Sequence, residues 1–262
     1  MGIGALSQAD AGECCVSVIG VVSALKSEAS CLMNLRFPIG RVVNIGARTR
    51  LCLSGMGDAA AQVAALRLQE YGVNALVSFG VAAALDNRLI PGDLVLPELI
   101  VDGDERWPVN LEWRNQLEQL LPSQLTIVGG VLASSSIPLT SRETKLALGE
   151  LAGACAADME SAAIARVAAN AGMPFIAIRA IVDPIDFSPP EALMSAVQPD
   201  GGVDMLRLMA LLMNRSVSFK TLIHLGIGMH AARSTLSCIV RTAGAGFASE
   251  ALNLENRDEE EG

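Results

Sequence analysis

Three carboxylates, far apart in the chain, are the residues of this 262-residue sequence best placed to do chemistry: Glu28, Glu160 and Asp183. Each sits at the boundary of an apolar run that reads as a buried strand. Glu28 opens a helix after the run 16–22, and Glu160 lies in DMES, beside Asp158, at another helix start. Asp183 ends the run 175–183 and is held extended by Pro184, because the residue before a proline is pushed out of the helical region. Open α/β sheets collect ligands at the carboxyl ends of their strands, so the three acids are expected in one crevice, where they would do acid/base work. Taken singly, Glu28 and Glu160 are equally suited to the positive end of a helix. Asp183 is the more telling residue, since a carboxylate at a buried strand end is costly without a partner.

Other chemistries find no support. The sequence contains no Walker A, GxSxG or HExxH motif, and SGMG at 54–57 lacks dinucleotide-fingerprint spacing. Cys14, Cys15, Cys31, Cys52, Cys155 and Cys238 show neither CxxC nor Cys/His ligand spacing, so they read as reduced thiols of a cytosolic protein. His224 and His230 read as surface or helix-packing residues. No metal and no cofactor is expected.

The acids need a scaffold, and the composition supplies one. The chain is 51% apolar, 18% charged and only 3% aromatic, which excludes a disordered protein and implies a core of Ala, Val, Leu, Ile and Met. Apolar, β-rich runs recur at 16–22, 42–46, 50–53, 74–80, 93–101, 125–133 and 175–183. Between them lie Ala/Leu-rich helical stretches such as 59–72 and 161–172, both ending in glycine. Strands apolar throughout need cover on both faces, so the fold class is α/β: a central mixed, mostly parallel sheet flanked by helices. Trp107, in DGDERWPVN, reads as a packing or subunit-contact residue in a loop.

Past residue 187 the strands stop. Ser188 offers a helix cap, and 203–213 and 217–241 read as helices, the latter apolar over a broad face. The expected organisation is a flexible leader at 1–15, an α/β domain at 16–187, a packed helical extension at 188–241 and an acidic disordered tail at 242–262. The net charge is −9, yet six acids and one Arg fall in the last 13 residues. The nearly neutral body lacks the clustered cations and stacking aromatics that nucleic acid requires. Asp10 and Glu13 stand where a signal peptide would be apolar, and no run of about 18 apolar residues suggests a spanning helix.

The segments VIGVVSALKSEA, LSGMGDAAA, LVSFGVAAALDNRLIPGDLVLPE, ADMESAAIARVA and IRAIVDP, in this order and spacing, resemble the nucleoside phosphorylase superfamily on its 5′-methylthioadenosine/S-adenosylhomocysteine nucleosidase side. The helical extension resembles the hopanoid biosynthesis-associated, adenosylhopane-cleaving branch. The resemblance implies that Glu28 positions or activates water, Glu160 holds the ribose hydroxyls and a protonated Asp183 donates to purine N7. It implies substrate contacts at Met159, Gly80, Val81, Ala82 and Pro138, with Arg48, Arg50 or Arg179 as candidates for phosphate. It also implies a homo-oligomer.

Two departures from the family pattern qualify this. Val81 has no hydroxyl where phosphorolytic relatives carry a serine, and ASSSIPLTS (133–141) lacks the phenylalanine that stacks on the purine, leaving Ile137, Pro138 or Leu139 as the apolar face. The expected activity is cleavage of adenosylhopane to adenine and ribosylhopane or its 1-phosphate, with inorganic phosphate as a co-substrate in the second case. The alternatives are a methylthioadenosine/adenosylhomocysteine nucleosidase and a non-catalytic nucleoside-binding protein. The broad apolar helix suggests a lipid-linked substrate and a cytoplasmic enzyme peripheral to the inner membrane.

Overall fold

The computed structural model describes residues 17–33, 38–187, 218–249 and 252. The leader, the Ser188 cap and the helix expected at 203–213 lie outside them. Eleven described strands form one mixed sheet. Its centre is β1 (Ile19–Ser23), β3 (Thr49–Leu53), β4 (Ala75–Ala84) and β11 (Phe175–Asp183). The pairs β1–β3, β1–β4 and β4–β11 are all parallel.

Residues alternate between the two faces, as a period of two demands. On one face Val22, Leu76, Phe175 and Ala177 pack under the alanines of α2 (Asp58–Glu70) and α5 (Ser161–Asn170). On the other, Val21, Val77, Phe79 and Ile178 meet α1 (Lys26–Leu32), α3 (Leu111–Leu120) and α6 (Phe219–Ala243). Alanine on the helices lets them approach the sheet closely, which is how a chain so poor in aromatics closes its core. Gly228 of α6 rests on the Val182 carbonyl, where a Cβ would overlap it.

The long strand β4 divides the sheet. Along one edge β11 accompanies it from Leu76 to Ala83. The other edge is shared: β1 covers Ala75–Ser78 and the antiparallel β10 (Ala156–Asp158) covers Ala83 and Ala84. Between them, residues 79–82 face no strand on that side. The strand expected at 74–80 thus runs on to Ala84, because pairing to β11 and β10 overrides the weak strand propensity of Gly80 and the alanines at 82–84.

Two expected strands are each divided. The run 93–101 becomes β5 (Leu94–Val95) and β6 (Leu99–Asp102), broken at Pro97. The run 125–133 becomes β8 (Ile127–Val128) and β9 (Val131–Ser134), broken at Gly130 with φ +90°. Trp107 lies on the short strand β7 (Glu105–Pro108), opposite Ile100, rather than in a loop. The remaining elements are β2 (Val42–Asn44) and α4 (Arg142–Ala152).

The packed chain continues beyond residue 241. Phe247 is fully buried against Phe79, and Trp113 Nε1 donates to its carbonyl at 2.6 Å. That contact holds Phe247 and Ala248 in the left-handed region, which non-glycine residues rarely adopt. Trp113→Ala should therefore cost about 3–5 kcal/mol, the range for removing a buried large aromatic. Urea unfolding would measure it, and a loss under 1 kcal/mol would show that the C-terminal turn does not depend on this ring.

Candidate active site

The gap on the edge of β4 is filled by a side chain. Helix α1 begins just after β1, and Glu28 in its first turn is turned inward, 1% exposed. Its Oε1 accepts from Val81 N–H at 2.9 Å, where a strand would otherwise have paired. Its Oε2 accepts from Ser23 Oγ, Ala24 N–H and Leu25 N–H at 3.1, 3.1 and 2.9 Å. Burial pushes its pKa up, against the pull of Arg179 and these donors. Gly80 lies behind it: a Cβ there would stand 2.5 Å from Glu28 Oε1 and closer still to Arg179 Nη1.

The second acid group comes from the β10–α5 junction. Asp158 ends β10, and Glu160 stands at the N-cap of α5, 7% exposed. Glu160 Oε1 accepts from Gly57 N–H at 2.8 Å, which ties it to the glycine turn before α2. Burial and the neighbouring Asp158 charge raise its pKa from the ordinary 4.5 to about 7, with Arg179 opposing.

Arg179, on β11 and 2% exposed, sits behind both groups. Its Nε lies 2.8 Å from Asp158 Oδ2, an ion pair without an aligned hydrogen bond. Its Nη2 donates to Ser78 Oγ at 2.5 Å and Ser161 Oγ at 3.1 Å, so the guanidinium is engaged by the protein's own oxygens.

Asp183 terminates β11. Its Oδ2 receives a 2.6 Å hydrogen bond from Lys145 Nζ of α4, and the lysine is wholly buried. Burial raises the pKa of Asp183, while the Lys145 ammonium pulls it down.

Glu28, Asp158, Glu160 and Asp183 line one cavity of about 190 Å³. Val81, Ala82, Met159, Ile137, Pro138 and Leu139 supply apolar wall. Thus nine of the expected residues meet there: Glu28, Glu160, Asp183, Met159, Val81, Ala82, Ile137, Pro138 and Leu139. Four do not. Gly80 is backbone behind Glu28, and Arg179 is sequestered behind the acids. Arg48 is exposed beside the start of β3, its carbonyl bonded to Ile19 N–H, so it lies at the opposite end of β1 from the cavity.

Nearness in sequence does not tell the two ends of a strand apart, so a candidate phosphate ligand such as Arg48 can fall at the end away from the cavity. Arg50, two residues further along, shares that end, since it pairs with Gly20. Among the described residues no Lys or Arg lines the cavity, and no cluster suits a metal ion. The reading missed Lys145 and the Ser78–Ser161 pair, whose residue types carry no signal without the fold.

The sequence pattern of the phosphorylase superfamily matches residues 34–200. A 5′-methylthioadenosine/S-adenosylhomocysteine nucleosidase of Buchnera aphidicola is 26% identical over 202 residues, covering 65% of this chain and 79% of the relative. Among solved structures, the nucleosidase of that name from Neisseria meningitidis, in complex with methylthio-immucillin-A, has a TM-score of 0.66 at 19% identity. It covers 90% of this chain and 100% of that one. Futalosine hydrolase of Helicobacter pylori has a TM-score of 0.62 at 18% identity, over 86% and 98% of the two chains. At these identities the structural likeness speaks for the fold.

The raised pKa of Glu160 has a signed consequence. A buried acid that holds its proton more tightly in the folded state stabilises the fold least once it ionises, so stability falls as pH rises from 4.5 to about 7. This contribution is at most ~3 kcal/mol. Glu160→Gln keeps the acceptor for Gly57 N–H and removes the charge. Its melting temperature should exceed that of the wild type at pH 8 and match it near pH 4.5; parallel melting profiles across that range would contradict the assignment.

Proposed function

The chain belongs to the phosphorylase superfamily, and we propose that it hydrolyses the N-glycosidic bond of an adenine nucleoside with a bulky 5′-substituent, adenosylhopane in hopanoid biosynthesis, to adenine and ribosylhopane. The observation that carries this reading is the meeting of three separately positioned carboxylates in a cavity whose remaining wall is largely apolar.

Bond cleavage sends the C1′–N9 electron pair to the base and leaves cationic character on the sugar. Asp183 gives its proton to N7 of the departing purine, so that the base leaves neutral. Glu160 accepts hydrogen bonds from the ribose hydroxyls and stabilises the cationic sugar electrostatically. Glu28 Oε2 is saturated by three donors, whereas Oε1 has one protein donor. The free lone pair on Oε1 takes a proton from the attacking water. Pro138, Leu139 and Met159 supply the apolar surface for the purine in place of a stacking ring.

Water is favoured over phosphate as the acceptor. The cavity wall carries four acids and, among the described residues, no cation, an arrangement that repels a phosphate dianion. Support for a lipophilic 5′-group comes from α6. Phe219, Ile223 and Ile227 form an exposed stripe at i, i+4 and i+8, and His224 stacks on Phe187, just beyond Asp183, at 4.3 Å. An apolar helix face there suits a cytoplasmic enzyme meeting its substrate at the inner membrane; no described helix is long and apolar enough to cross one. Homo-oligomerisation is part of the same proposal. The second reading, a methylthioadenosine/adenosylhomocysteine nucleosidase, is favoured by the Buchnera aphidicola relative.

Chromatographic adenine release from adenosylhopane, methylthioadenosine, adenosylhomocysteine and inosine, with and without phosphate, separates the readings. Adenosylhopane should be cleaved fastest and phosphate should not change the rate. Preference for methylthioadenosine would establish the second reading, and no free base from any substrate would end both. Asp183→Asn should lower turnover at least ~100-fold, as expected for loss of a general acid.

A further inference from the structure

Behind Asp183 stands the wholly buried ammonium of Lys145. Helix α4 opens with Ser141, whose Oγ accepts from Thr144 N–H at 3.1 Å. Its first turn grips the exit of β11 at two points. Arg142 Nε lies 2.6 Å from Asp186 Oδ1 on the outside. Inside, Lys145 Nζ donates to Asp183 Oδ2 at 2.6 Å, to the Pro184 carbonyl at 2.9 Å and to the Phe187 carbonyl at 2.8 Å. All three ammonium hydrogens thus have acceptors, and none is left for solvent or the cavity, which Lys145 does not line. A fully buried lysine is tolerated only with such a partner set. Asp183 Oδ2 is committed to it, which leaves Oδ1 for the cavity.

The other charges around Asp183 do not replace Lys145. His224 of α6 acts on it only weakly, and its ring is stacked on Phe187. Glu28, Asp158 and Glu160 share the cavity and disfavour a further negative charge, while Arg179 is bound to Asp158, Ser78 and Ser161.

We propose that Lys145 is the positioning residue of the proton donor: fixed by two carbonyls of the β11 exit turn, its ammonium orients Asp183 and stabilises the negative charge left on Asp183 when the proton passes to the base. The inference rests on the cleavage reading above. As the C1′–N9 bond breaks, the proton moves from Asp183 Oδ1 to the base and Asp183 becomes a carboxylate. Lys145 keeps its own proton throughout. It strengthens Asp183 as an acid and sets the pH above which the donor is empty.

The test compares Lys145→Gln, which loses the charge, with Lys145→Arg, which keeps it; both retain donors for the Pro184 and Phe187 carbonyls. In Lys145→Gln the alkaline limb of kcat/KM should move up by about 1–3 pH units, the usual effect of removing an adjacent opposite charge, with a lower kcat on the acid side. Lys145→Arg should leave the limb in place.

The same shift should appear without substrate, in a carboxyl-¹³C NMR titration of Asp183 assigned by the signal lost in Asp183→Asn. An unmoved midpoint in Lys145→Gln, or equal losses in both variants, overturns the assignment of Lys145. A wild-type protein that cleaves none of the nucleosides, with the NMR shift intact, overturns the cleavage reading and the role in proton transfer together.

Discussion

Four carboxylates lie around one small cavity, and the two cations that make this tolerable stand behind them rather than among them. Arg179 backs Glu28, Asp158 and Glu160; Lys145 backs Asp183. Stripping a carboxylate of water costs several kcal/mol, and a cation facing the cavity would lower that cost but would also cancel the negative field that a cationic sugar needs. Placing the cations at the rear divides the work. The acids stay folded in, the pKa values of Glu28, Glu160 and Asp183 remain raised, and the cavity remains acidic.

This placement follows from one topological event. Strand β4 loses β1 after Ser78 and gains β10 only at Ala83, so a short stretch of its edge lacks a strand partner. Glu28 closes the gap by accepting from Val81 N–H, and Gly80 keeps the space behind it free for Arg179. The chain enters α1 from the end of β1 and α5 from the end of β10, so their first turns carry Glu28 and Glu160 to the same end of the sheet. Strand β11, running along the whole opposite edge, ends with Asp183 at that end too.

The acids are legible in the sequence because they stand at strand ends, where an apolar run stops and a helix or a proline begins. Ile19 to Ser23 and Phe175 to Asp183 could be read with little error for that reason. What escaped was information held between distant segments. Lys145 in an amphipathic helix looks like a solvated lysine until α4 is docked on the β11 exit. Arg48 and Arg179 looked available to an anion, yet one lies at the far end of β1 and the other is consumed by Asp158, Ser78 and Ser161. The strand segment Ala82 to Ala84 is made of residues with little intrinsic preference for β structure, and only its neighbours on both sides define it.

The likeness to nucleosidases and to futalosine hydrolase agrees with this architecture, and among the described residues the cavity wall of this chain holds neither an aromatic ring nor a cation. The most direct measurement replaces N7 of the purine by carbon in whichever nucleoside the protein cleaves. If Asp183 works by protonating N7, the 7-deaza compound binds as the parent does but is cleaved at least ~100-fold more slowly, and Asp183→Asn costs it no further rate. Cleavage of the 7-deaza compound at the parent's rate, or an undiminished effect of Asp183→Asn upon it, would contradict the account.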